Sequence, residues 1–202
     1  MGYLVLRIVD LNAFFINYRW MKGHMNDIAQ WLNVDPSCCA TAPPKKDTIV
    51  VHIRDFLPTD EDKNKNLQVG VYRDIIQQYS QNDRPEIIVV CQPRSVESEI
   101  VQGLVKEFNA TVQTGSDNID AFCILSNAHF IIPTTSSTFS QLAALLAQQK
   151  HDNVQVHYPT HTLNRPGVTL KVPTWKYHLT NSKNDGIAEF DVDHKRLKIF
   201  HA

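Results

Sequence analysis

From residue 48 onward the chain alternates between short unbroken apolar runs and longer stretches whose apolar side chains return every three or four positions. "TIVVHIR" (48–54) and "EIIVVCQ" (86–92) are β-branched runs too short for helices and apolar enough to be buried on both faces. Between and after them, "VGVYRDIIQQYS" and "SVESEIVQGLVKEFN" carry the helical period. The second places Val96, Ile100, Leu104 and Phe108 on one face, with Ser95 as its expected cap. "ATVQTG" predicts a short strand, "DNIDAFCILSNA" a helix, "HFIIP" a strand, "TFSQLAALLAQQ" a helix and "NVQVH" a last strand. The order is β-α-β-α-β-α-β-α-β over residues 48–157. That alternation predicts right-handed crossovers and a doubly wound α/β fold, a mostly parallel sheet with helices on both faces.

The flanks follow other rules. In "FFINYRWMKGHMNDIAQWL" apolar residues fall at 14, 18, 21, 25, 28 and 32, the stripe of an amphipathic helix over 14–32. "NVDPSCCATAPPKKD" reads as a linker or surface loop, so residues 1–47 form a helix and linker ahead of the main domain, 48–160. The tail, 161–202, begins irregular and aromatic. It ends in "IAEFDV" and "KRLKIF", which predict a β-hairpin packed on the same domain.

Composition narrows the function classes. With 43% apolar and 20% charged residues, the 202-residue chain is an ordinary globular protein. A formal net charge of −1 gives no broad basic face for nucleic acid or a membrane surface. The nine histidines are scattered, without metal-ligand spacing. Cys38, Cys39, Cys91 and Cys123 are read as free thiols, since the first two are adjacent and the others sit in apolar runs. "MGYLVLRIVDLNAFF" contains Arg7, Asp10 and Asn12, so it is read as neither a signal peptide nor a membrane span. The default expectation is therefore a cytoplasmic chain, or a soluble domain of a larger protein. "NAT" at Asn109 fits an N-glycosylation sequon, more often an ordinary surface Asn.

In an open parallel sheet, ligands bind beyond the carboxyl ends of the strands. That edge collects His52, Arg54 and Asp55 after the first strand, and Gln92 and Arg94 after the second. Thr114 to Asp117 follow the third strand, and Thr134 to Ser140 the fourth. "TTSST" supplies five hydroxyls where one helix cap needs one. A hydroxyl-rich helix start favours an anion, and Arg54 on a neighbouring strand end offers a bidentate fork to the same phosphates. Neither G-x-x-x-x-G-K-[ST] nor G-x-G-x-x-G occurs. Against this stand plainer readings, in which Arg54 pairs with Asp55 and His52 is a satisfied core histidine.

"VVHIRDF" resembles the His-x-Arg motif of GDP-fucose-dependent fucosyltransferases, the α1,2-, α1,6- and protein O-fucosyltransferase superfamily. "DAFCILSNAHFIIPTTSSTFSQLAALL" resembles their later motif, about 80 residues on. The resemblance covers roughly residues 48–150. It implies the carboxyl-terminal, Rossmann-like donor-binding half of a GT-B glycosyltransferase, which transfers fucose from GDP-fucose to a glycan hydroxyl with inversion. It further implies that no metal or other cofactor takes part and that the partners are a nucleotide sugar and a glycan acceptor. Arg54 would bind the donor diphosphate and stabilise the leaving group, with His52 beside it. Ser136, Ser137, Thr138, Phe139 and Ser140 would hold the phosphates, with Arg94 at the same edge, and Asp120 the guanine or ribose. Asp55 is the candidate catalytic base, with Asp60 as a substitute, and Asp117 could take the part of Asp120. Such enzymes have a second Rossmann-like half. The roughly 45 residues before the first strand are too few to hold it, so the chain is expected to be a fragment, a domain of a larger enzyme or a minimal relative. Two further readings are a non-catalytic nucleotide-sugar or glycan-binding domain and, last, a flavodoxin-like or phosphatase-like protein.

Overall fold

A computed structural model describes residues 22–32, 34–54, 67–80, 85–114, 118–135, 137–160, 172, 174–180, 187–191 and 196–199. Among the described residues the α-helices are α1 (Met25–Trp31), α2 (Val69–Tyr79), α3 (Glu99–Phe108), α4 (Asn118–Ser126) and α5 (Thr138–Lys150). The strands are β1 (Ile49–Ile53), β2 (Ile87–Cys91), β3 (Thr111–Gln113), β4 (Phe130–Ile132), β5 (Gln155–Thr160), β6 (Lys176–Thr180), β7 (Ile187–Asp191) and β8 (Arg196–Ile199).

The strands form one sheet in the order β3-β2-β1-β4-β5-β6-β7-β8. The first six are parallel to their neighbours, and β7 and β8 add an antiparallel edge. This is the doubly wound, Rossmann-like arrangement, in which the chain winds outward from β1 in one direction and then returns to wind in the other. The alternation of side chains along β1 divides the core in two. Ile49, Val51 and Ile53 pack with α2 and α3 residues such as Ile75, Ile76, Val101 and Leu104. Val50 packs on the opposite face with Leu125 of α4 and Ala143, Ala144 and Ala147 of α5. All five β1 residues are buried, which is why its pattern is a continuous apolar run.

The structure changes several expectations. Helix α3 is capped by Ser98, whose hydroxyl accepts from the Val101 N–H at 3.4 Å, while Ser95 lies in the 3-10 turn Pro93–Ser95. Two prolyl-adjacent turn bonds, Ser95 N–H to Gln92 O and Val96 N–H to Pro93 O, delay the helix by one turn. The tail is more regular than its pattern suggests. "KYHLT" is a sixth parallel strand, hidden because its lysine and histidine interrupt the apolar run. The hairpin is present, with Ala188 opposite Ile199 and Asp191 opposite Arg196. In the first helix, Met25 is buried and Ile28 half-buried against the α4–α5 layer, while the 14–21 part of the expected stripe lies outside the described residues.

Two of the four cysteines are not free. Cys39 and Cys123 form a disulfide across 84 positions, their Cα atoms 5.8 Å apart, and only Cys38 and Cys91 are free. Apolar surroundings at Cys123 do not exclude a bridge. Beside it, the Thr41 N–H and hydroxyl each donate to one Asp120 carboxylate oxygen, both at 2.8 Å. The proline-rich linker is thus a strap fixed to the first two turns of α4.

Candidate ligand site at the switch point

Strand order reverses between β1 and β4, and the helices that follow them, α2 and α5, pack on opposite faces of the sheet, the place where such folds open a ligand crevice. The two stretches singled out in the sequence meet there. The Arg54 backbone N–H donates to Thr134 Oγ1 at 3.1 Å, joining the end of β1 to the loop after β4. Thr135 ties the same loop to β5, its hydroxyl donating to the Pro159 carbonyl at 2.7 Å. Thr134 and Thr135 are therefore buried fasteners of the loop.

The helix start beyond them is arranged differently. Ser137 occupies the N-cap position of α5 but makes no side-chain capping bond. Its N–H turns inward to the Thr134 carbonyl at 3.4 Å, and its carbonyl accepts from Gln141 N–H and from Ser140 Oγ. The first-turn N–H groups of an α-helix have no intrahelical acceptor, and the helix dipole concentrates positive potential there. Among the described residues α5 has no side-chain cap bond, and Thr138 and Phe139 are half-buried at its start.

His52 forms the wall. It is 8% exposed, its ring 5.8 Å from that of Phe139, which in turn meets Phe122 of α4 edge-on at 5.4 Å. Burial, and secondarily the Arg54 charge, lowers its pKa to about 4, so the imidazole is neutral at pH 7. Its Nδ1 is buried and without a hydrogen-bond partner among the described residues. A neutral imidazole with an unengaged nitrogen beside an arginine suits hydrogen bonding to a polar ligand, not holding a charge of its own. The core histidines His157, at Nε2, and His178, at Nδ1, likewise have no partner there among the described residues.

The remaining candidates are distributed less compactly. Arg54 is exposed at the end of β1. Arg94 is exposed after β2, its Nε donating to Gln92 Oε1 at 2.9 Å. Asp120 is 4% exposed and both its oxygens accept from Thr41, so its carboxylate serves the strap; the role of holding guanine or ribose is not what its bonds indicate. Ser140 is fully buried and bonds backward within α5, which removes its hydroxyl from the phosphate-holding set. Asp55, Asp60, Asp117 and Ser136 lie outside the described residues. Trp175, Tyr177 and His178, which could have stacked on a sugar, are core residues at 2%, 0% and 0% exposure.

Sequence reasoning missed the strap, since neither Thr41 nor Cys39 carries any periodic signal. The adjacency of "CC" and "TAPP" on one short segment was the only cue. No family model matches the chain, and comparison with curated proteins finds no match. Among the described residues, no helix is long and apolar enough to cross a membrane.

Proposed function

We propose that the chain binds a nucleoside diphosphate sugar at the β1–β4 crevice and is the donor-binding part of a metal-independent glycosyltransferase, moving fucose from GDP-fucose to a glycan hydroxyl. One observation carries the reading: "HIR" and "TTSSTFS", separated by 80 positions, are joined by the Arg54–Thr134 bond at the topological switch point. Around that bond sit the parts that diphosphate binding calls for, a guanidinium-bearing residue, an uncapped helix start and a neutral buried imidazole. The choice of fucose and of GDP comes from the motif resemblance, and the geometry around the Arg54–Thr134 bond supports a phosphate-bearing ligand.

In the transfer, the acceptor oxygen attacks the sugar C1 as the C1–O bond to the diphosphate breaks. Negative charge grows on the departing diphosphate. Arg54 and the first-turn amides of α5 would meet that charge with donors already oriented, which is the electrostatic form of catalysis. His52 would position the nucleotide through Nδ1. Asp55 remains the proposed base, as the charged residue next to Arg54 in sequence.

Titration calorimetry with GDP, UDP and their sugars tests the reading. GDP is expected to bind, and Arg54→Ala to weaken it by about 2–3 kcal/mol, the scale of a charge-assisted bond. Absence of GDP binding, or undiminished binding by Arg54→Ala, overturns it. Binding without transfer of fucose to any of a panel of glycans would favour the non-catalytic binding domain.

A further inference from the structure

The sequence contains a single Asn-X-Ser/Thr triplet, Asn109-Ala110-Thr111, and the fold displays it. Asn109 is the C-cap of α3, in the left-handed region at φ 54° and ψ 39°, and its side chain is exposed. Asparagine tolerates that conformation better than most residues. Ala110 is 7% exposed and packs into the α2–α3 core layer, so it anchors the middle of the triplet. Thr111 opens β3 and is exposed, which leaves Asn109 and Thr111 outward on either side of the anchored alanine.

Place in the fold matters as much as exposure. Among the described strands β3 is the outermost of its side, paired with β2 alone. The turn from α3 into β3 lies at the amino-terminal end of the strands, opposite the edge where the ligand crevice opens. A bulky group at Asn109 would project from a sheet margin and meet neither the crevice nor the core.

A second, independent observation points the same way. The Cys39–Cys123 disulfide spans 84 positions, and disulfides of this kind form in oxidising compartments such as the secretory lumen. That is the compartment in which asparagine glycosylation takes place. The sequon alone is an ordinary surface triplet in most chains, and the bridge alone could be a redox device. Together they place one chain in one chemistry.

We propose that Asn109 is an N-glycosylation site and that the chain matures in the oxidising lumen of the secretory pathway, in place of the cytoplasmic default. In the modification, Asn109 Nδ2 bonds to C1 of an oligosaccharide carried on a polyprenyl diphosphate. The C1–O bond to phosphate breaks, the lipid diphosphate leaves with the electron pair, and the amide loses one proton. The Thr111 hydroxyl is the part of the triplet that the transferring enzyme requires.

The test is to express the full chain behind a cleavable secretion leader in eukaryotic cells, then treat the secreted product with an amidase that cuts glycans from asparagine. The expected result is a gel shift of one glycan, aspartate at position 109 after treatment, and a Cys39–Cys123 cross-linked peptide in a non-reducing digest. Thr111→Val, which keeps Asn109 and a β-branched residue in the strand, is expected to abolish the shift, and Thr111→Ser to retain it. A secreted chain with the cross-link formed and Asn109 unmodified overturns the site. Free Cys39 and Cys123 thiols in the secreted chain overturn the compartment assignment.

Discussion

Helices α3 and α5 both begin on a serine, each follows a strand of the same sheet, and both face the same edge. At α3 the serine does what its type favours: Ser98 accepts from the Val101 N–H, and Glu99 in the first turn adds a charge that suits the dipole. At α5, Ser137 has the extended backbone of a cap, φ −98° and ψ 104°, but its hydroxyl makes no capping bond, and the first turn has no acidic residue. A helix start whose serine accepts from one first-turn N–H has one donor fewer to offer a ligand. One left incomplete at the switch point, beside an arginine, is open to an anion. The contrast teaches that a hydroxyl-rich sequence is no measure of binding; the bonds that its hydroxyls fail to make are the better one.

The largest expected effect falls on what holds the α5 start in place. The strap fixes α4 through Cys123 and Asp120, and Phe122 of α4 backs Phe139, which lines His52. Closing a loop of this length restricts the unfolded chain by about 4–5 kcal/mol in the chain-entropy description. Replacing Cys39 and Cys123 together by serine is expected to lower stability by that order in urea denaturation, and GDP affinity with it. If affinity were unchanged in the folded variant, the strap would be a stabiliser of the fold with no bearing on the site.

Next comes Arg54. Its backbone N–H, not its side chain, makes the Thr134 bond, so Arg54→Ala should leave that bond in place. A loss of about 2–3 kcal/mol is expected in GDP binding. The same truncation at Arg94, which leans on Gln92 one strand away, is expected to cost less than about 1 kcal/mol.

Acid separates two kinds of buried histidine. His52 is lowered to about 4 and His178 to about 3, each first by burial and then by a nearby cation, Arg54 and Lys176 respectively. His157 is lowered by burial and by the charges of His178 and Lys176. Its Nδ1 lies 3.0 Å from His178 Nε2, and its ring stacks on Phe130 and meets Tyr79 edge-on. An unfolded histidine titrates near 6.5, so the unfolded chain takes up protons that the folded one refuses. The contribution of these histidines to stability is therefore level well above pH 6.5. It falls by about 1.4 kcal/mol per pH unit for each such histidine as the pH drops toward 4. His52→Leu and His178→Leu should each reduce that slope in urea titrations, but only His52→Leu should weaken GDP at pH 7. Equal effects of the two on GDP would erase the distinction between wall and core.

Much of this was legible in the residues. The continuous apolar runs of β1 and β2 and the helical periods between them specify a parallel sheet, and the strand-end rule then selects His52, Arg54, Asp55, Gln92, Arg94 and the stretches 114–117 and 134–140. What escaped was long-range and aperiodic. The strap depends on Cys39 meeting Cys123, and no local pattern encodes a pairing over 84 positions. Strand β6 escaped because His178 and Lys176 are polar by type; His178 is buried against His157, and Lys176 reaches the Tyr79 hydroxyl at 3.2 Å. The ligand role of Asp120 came from the family resemblance, and Thr41, from a segment read as a linker or surface loop, engages its carboxylate.

The smallest effect bears most directly on the two helix starts. Ser98→Ala removes a capping acceptor and is expected to cost about 1 kcal/mol, read as a lower urea midpoint at unchanged slope. Ser137→Ala removes a hydroxyl that caps nothing, so the midpoint should move by less than about 0.5 kcal/mol although the position is 1% exposed and the other is not fully buried. Burial alone predicts the opposite order, because truncation at the more buried position should matter more. Saturating GDP should then raise the midpoint of the Ser98→Ala protein as much as that of the parent chain, since the proposed ligand site lies at a different helix. If Ser137→Ala proves the more damaging of the two without GDP present, the α5 start is completed by its own serine in solution, and the anion site loses its main support.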